Sequence, residues 1–168
     1  EGIEKVRKII PLLEKYRIKL ALENHEYETS EELVRVIKEI NSQWVGLLYD
    51  FGNSMMAWEE PVKAAENMAP YTYSTHFKDH IIIEEPNDKY GYVVCGVPAG
   101  TGNIDLKTCF NIMMKKSSLT RINVESCYPY CAQFKRSPGA GGVFKVGEGA
   151  FQVEKHLYNY DIIKPSQY

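Results

Sequence analysis

Four side chains that ligate hard or borderline cations stand at the ends of short apolar runs: Glu23 after LAL, Asp50 after VGLLY, His76 after YTYST and Glu125 after RINV. Three carboxylates and one imidazole form a donor set for a divalent metal ion. One carboxylate at a strand end proves little, because such positions are commonly solvated termini. Four at the same register are far more restrictive: a buried carboxylate without a partner loses its hydration, and a shared cation compensates it.

The elements that would position these groups alternate. Ile3, Val6, Ile9, Ile10 and Leu13 recur at helical spacing, and a short buried strand then ends at Glu23. Thr29 and Glu32 have the spacing of a capping box, ahead of a helix with Leu33, Val34, Ile37 and Ile40 on one face. Trp44 to Tyr49 reads as a strand covered by helices and ends at Asp50. Pro61 opens a further helix carrying Val62, Ala65 and Met68, and Tyr71 to Thr75 delivers His76.

Residues 80–104, with Pro86, Gly91, Pro98, Gly100 and Gly102, read as an irregular excursion holding a small hairpin around Tyr92 to Cys95. Asp105 caps a helix carrying Leu106, Phe110 and Met113, and Arg121 to Val124 is the strand before Glu125. The first two intervals between the four residues each fit one strand-helix unit. The third fits a unit enlarged by the excursion, the spacing of repeated right-handed βα steps. In such sheets ligands bind beyond the carboxyl ends of the strands, so the four side chains share one space. A last helix is expected around Phe151 to Tyr158, after a glycine-rich surface loop.

Several functions are disfavoured. Twenty Lys and Arg against twenty-two Asp and Glu give a net charge of -2 without a basic cluster, no footprint for nucleic acid. No apolar run approaches the ~20 residues of a membrane span. SPGAGG lacks the lysine of a phosphate-binding loop, and AspPheGly at 50–52 lacks the context of a kinase. Cys95, Cys109, Cys127 and Cys131 have no metal-finger or redox spacing and read as free thiols of a reducing, cytoplasmic compartment. The N-terminus is too charged for a signal peptide and lacks an initiator Met, so a trimmed chain or part of a longer product is expected.

The ordered pieces LALENHE at 20–26, VGLLYDFGNS at 45–54, THFKDH at 75–80, GTGNIDL at 100–106 and INVES at 122–126 resemble the xylose-isomerase-like TIM-barrel superfamily. The resemblance is in particular to its sugar phosphate isomerase/epimerase group, over about residues 3–127. It implies an α/β fold: the C-terminal half of a (β/α)8 TIM barrel, residues 1–168 being one partial domain of about the last four βα units plus a C-terminal extension. The missing half would come from the same polypeptide or from a partner subunit, and an oligomer is expected.

The resemblance also implies that Glu23, Asp50, His76 and Glu125 bind one divalent ion, typically Mn²⁺, with Mg²⁺ or Co²⁺ as alternatives. Its activity would be isomerisation or epimerisation of a sugar or sugar phosphate through an enediolate, with Glu23 and Glu125 as base and acid. His25 is an alternative base; Asn53, Lys78 and Trp58 are candidate substrate contacts. The competing readings are a lyase of the same superfamily, resembling inosose dehydratases or C-glycoside deglycosidases, and a non-catalytic barrel subunit. The basic surface and extra histidine ligands of the superfamily's DNA-repair endonucleases are not evident.

Overall fold

The computed structural model describes residues 1–154. Helix α1, Gly2–Tyr16, lays Ile3, Val6, Ile10 and Leu13 against the core and ends where Arg17 turns left-handed. Strand β1, Leu20–Glu23, follows. Helix α2, Ser30–Ile40, starts at the expected capping box: Thr29 Oγ1 accepts from the Glu32 N–H, and the Thr29 N–H donates to the Glu32 carboxylate at 3.0 Å. The helix buries Leu33, Ile37 and Ile40. Strand β2, Val45–Asp50, is buried along nearly its whole length, as its unbroken apolar run requires. Helix α3, Pro61–Met68, has proline in its first turn, where no N–H is missed, and leads to strand β3, Thr72–His76.

These strands form a parallel sheet in the order β1-β2-β3, with Glu23 opposite Leu48 and Asp50 opposite His76. The chain then forms a second sheet. Strands β4, Asp79–Glu84, and β5, Tyr92–Val97, pair antiparallel; after helix α4, Leu106–Lys116, strand β6, Cys131–Ala132, joins the β5 edge. Ile82 and Val94 face the main core, whereas Ile81, Ile83, Val93, Cys95, Val97 and Cys131 make a small core of their own.

The expectation of four successive parallel strands, the C-terminal half of a barrel, is therefore corrected. Three parallel strands form, and no sheet among the described residues closes into a barrel. Arg121 to Val124 is not a strand: Val124 pairs with Phe77 through one isolated bridge and is 73% exposed. Within residues 80–104 the hairpin around Tyr92 to Cys95 forms, but it is longer than expected, with β4 and β5 six residues each, because both faces of these strands are apolar and each finds a core. The four-thiol reading also fails, since Cys95 and Cys131 lie directly opposite across β5 and β6 and form a disulfide. Cys109 and Cys127 are free. The helix expected to start around Phe151 is a single 3-10 turn at Gly149–Phe151, and its remainder lies outside the described residues.

Trp58 joins the turn after β2 to later parts of the chain. Its ring stacks on Phe134 at 4.0 Å between centroids, with Phe151 beyond and Tyr90 edge-on, and its Nε1–H donates to the Arg136 carbonyl. The chain from 132 to 149 is thereby strapped over the end of the 3-10 turn Asn53–Ala57, with the Lys135 N–H donating to the Met56 carbonyl and the Val143 N–H to the Trp58 carbonyl. Trp58→Ala is expected to cost about 3–5 kcal/mol of unfolding free energy in a denaturant titration, the usual effect of emptying a buried aromatic site, whereas Trp58→Phe should cost clearly less.

Candidate metal centre

The carboxyl ends of β1, β2 and β3 carry Glu23, Asp50 and His76, and one donor atom from each lies within 4.8 Å of the others. The convergence follows from the ladder. Asp50 and His76 are direct parallel partners, and Glu23 is the last residue of β1. His76 Nδ1 is the hub: Glu23 Oε1 lies at 2.9 Å, Asp50 Oδ2 at 3.6 Å and Glu125 Oε1 at 3.7 Å.

Asp50 is fully buried. Its Oδ1 accepts from the Gly52 and Asn53 N–H groups, both at 2.9 Å, and its backbone is clasped by Asn24. Oδ2 accepts no directed hydrogen bond and meets the charges of Lys78 Nζ, 2.7 Å away, and His76 Nδ1, 3.6 Å away. The Lys78 ammonium bridges Asp50 and Glu125. Glu125 belongs to no strand; its N–H donates to the Phe77 carbonyl just beyond β3. Of the four expected ligands, three converge closely, and Glu125 stands at the rim, held by lysine.

The electrostatics follow from this packing. Burial pushes the Asp50 carboxyl up, but His76 and Lys78 outweigh it and hold the pKa below the ordinary value. Asp50 first, against opposing burial, and then Glu23 and Glu125 raise His76 to about 9. Burial also opposes the charge on Lys78, yet Asp50 and Glu125 keep its pKa above normal. Without an ion, three carboxylates thus face Lys78 and a protonated His76; once His76 gives up its proton to serve as a donor, two negative charges are left for a divalent cation to meet. A divalent ion fits: the donors are two carboxylate oxygens and an imidazole nitrogen, and one buried carboxylate oxygen lacks a directed partner.

A cavity of about 340 Å³ opens over the cluster. Its wall includes His25, Asn53 and Lys78 from the expected set, together with Met56, Cys127 and Tyr130. Trp58 is not on this wall, being 2% exposed within the aromatic stack. Lys78 does not pair with Asp79, whose carboxylate instead accepts from the Gly100, Gly102 and Ile104 N–H groups and pins that loop.

Two features escaped the sequence reading. The sequence does not single out Asn24, whose contacts with the Asp50 backbone depend on the β1–β2 register. His80 lies 3.1 Å from Cys127 Sγ and is pushed by burial down to about 4, so it stays neutral. A Cβ on Gly52 would lie 2.2 Å from its ring, which explains the glycine after Phe51.

With this geometry in place, comparison identifies the family. The sequence model of the xylose isomerase-like TIM barrel matches residues 2–138, and the chain belongs to that family. Because the match takes in most of the chain, it also removes the C-terminal-half assignment.

The chain is 37% identical over 86 residues to the uncharacterized protein YihM of Escherichia coli (strain K12), covering 51% of this chain and 26% of that one. It is 30% identical over 105 residues to 3-oxo-isoapionate decarboxylase of Pectobacterium atrosepticum, covering 62% and 38%. A xylose isomerase-like TIM barrel protein from Mycobacterium smegmatis, solved in complex with magnesium, superposes with a TM-score of 0.62 at 22% identity, over 74% of this chain and 42% of that one. The chain spans less than half the length of each. No helix among the described residues is long and apolar enough to cross a membrane.

The raised His76 pKa has a definite sign. A base whose pKa rises from 6.5 to about 9 on folding contributes stability that is complete below pH 6.5 and lost as pH climbs through about 9. The melting temperature of metal-free protein is therefore expected to fall across that window relative to a His76→Gln variant followed in parallel. Adding Mn²⁺ or Mg²⁺ should raise the melting temperature of the native protein and leave Asp50→Asn unmoved, since a ligand stabilises only a fold that binds it.

Proposed function

We propose that this chain carries the metal centre of a divalent-metal-dependent lyase acting on a sugar-derived ketone, with Mn²⁺ or Mg²⁺ as the ion. The observation that carries the reading is the convergence of Glu23, Asp50 and His76 under an open cavity, in a chain whose relatives include a 3-oxo-isoapionate decarboxylase. Bound there, the ion would supply a Lewis acid that stabilises negative charge on a carbonyl oxygen and its neighbour.

The chain's own groups supply the rest. Glu23, Asp50 and His76 hold the ion, and the Asn53 side chain and His25 meet substrate hydroxyls on the cavity wall. Glu125, at the rim, would deliver a proton to the carbon from which carbon dioxide has departed, or take the proton beside the ketone as hydroxide leaves the next carbon as water. Lys78 holds its carboxylate in place and keeps a positive charge beside the carbon as electrons move onto the ketone. His80 stays uncharged behind this wall and therefore does not compete for the carboxylates.

A second reading, isomerisation or epimerisation of a sugar, keeps the same intermediate and differs in what leaves the carbon. It is favoured by one observation, the presence of a second carboxylate, Glu23, which approaches the same His76 Nδ1 as Glu125. That pair is the acid and base an epimerase needs.

The two are separated by following metal-loaded protein by NMR in D2O with a panel of 3-oxo sugar acids, inososes and free ketoses. Release of carbon dioxide or water supports the lyase; deuterium incorporation with interconversion of sugars and no bond cleavage supports the isomerase. Neither outcome across the panel would overturn both. Glu125→Gln is expected to lower the turnover of whichever reaction appears by about 10²–10⁴-fold, the usual range for one general acid or base, while metal content stays near native.

A further inference from the structure

We infer that Asn24 is a positioning residue for the metal centre: its side-chain amide replaces a peptide group of β1 and fixes where Asp50 presents its carboxylate. The inference rests on reading Glu23, Asp50 and His76 as ligands, and goes beyond it by naming what holds them in register.

The β1-β2 ladder ends at Glu23 opposite Leu48, two residues short of Asp50. On its other side Asp50 remains in the sheet, paired with His76, and the next N–H, from Phe51, donates to the His76 carbonyl. On the β1 side the Asp50 N–H and C=O would be buried without partners, a cost folded chains avoid. Asn24 meets both: its Oδ1 accepts from the Asp50 N–H at 2.7 Å, and its Nδ2–H donates to the Asp50 carbonyl at 3.0 Å. A primary amide has the donor and acceptor of a peptide unit, so the ladder continues through a side chain after the backbone has departed.

The geometric consequence is specific. With its backbone clasped and Oδ1 held by two N–H groups, Asp50 can offer only Oδ2 to an ion. Asn24 also directly follows Glu23, so one residue couples the ends of β1 and β2. Asn24 is 1% exposed and does not line the cavity over the cluster, which makes it an indirect participant that works through Asp50.

The test is a Mn²⁺ titration of the native protein, Asn24→Ala and Thr72→Val, read by electron paramagnetic resonance well below the melting temperatures. Thr72 is a buried control: its hydroxyl donates to the Met68 carbonyl at the opposite end of β3. Asn24→Ala is expected to weaken Mn²⁺ binding about 10- to 100-fold, the usual effect of losing a group that orients a ligand, while Thr72→Val lowers the melting temperature without changing the affinity. If Asn24→Ala does not fold, Asn24→Ser, too short to meet both backbone groups, should show the same weakening.

Native affinity in the Asn24 variants, or equal weakening in Thr72→Val, would overturn the inference and leave the metal centre standing. Absence of Mn²⁺ binding by the native protein would overturn both.

Discussion

The structure is organised around the burial of one carboxylate. Removing Asp50 from water costs several kcal/mol unless the fold supplies compensating charge and hydrogen bonds, and nearly every local feature of β2 and its neighbours does so. Two N–H groups of the turn after β2 take one oxygen, an amide from β1 takes the backbone, and His76 and Lys78 supply positive charge. The parallel sheet is the device that makes this possible. Its register puts Asp50 beside His76 without any loop having to be ordered for the purpose.

The second sheet and the strap from 132 to 149 provide the wall that a three-stranded sheet lacks. Arg136 grips both oxygens of Glu32, the same carboxylate that closes the capping box of α2, so the strap is tied to the start of a helix rather than to a flexible loop. Glu59, buried beneath it, accepts from the N–H and hydroxyl of Ser30 and leaves just enough room for the backbone of Gly141. Across β5, the Cys95–Cys131 disulfide anchors the segment that follows Glu125 and carries Cys127 and Tyr130 into the cavity wall. The wall is thus held at its two ends by an ion pair and a covalent bond.

Much of this was legible in the sequence where local chemistry and tertiary structure agree. The Thr29 capping box, the proline at the start of α3, the Asp105 cap and the strand ends at Glu23, Asp50 and His76 are each set by residues within a few positions. What misled was the region where periodicity is ambiguous. A run such as HisIleIleIle at 80–83 fits a strand buried on both faces as well as an irregular loop, and only its pairing with β5 decides. Arg121 to Val124 failed in the opposite way: its β-branched residues look like a strand, but only one bridge to Phe77 forms. The disulfide was invisible because Cys95 and Cys131 are 36 positions apart, and their meeting depends on β6 docking on β5. Trp58 was placed near the site by sequence proximity to Asn53, yet the left-handed turn at Trp58 itself sends its ring into the core.

The two carboxylates assigned to proton transfer differ in how they are held. Glu23 ends a strand paired along its length and donates its position to the sheet, while its oxygen accepts from His76. Glu125 follows a single bridge, its side chain is 41% exposed, and it is anchored by the Lys78 ammonium. A group that must stay fixed against an ion is best placed on a rigid element, and a group that must approach and leave a carbon needs freedom of about one rotamer. Under the proposed reading that asymmetry assigns the roles by rigidity: Glu23 belongs mainly to the ion and Glu125 mainly to the substrate.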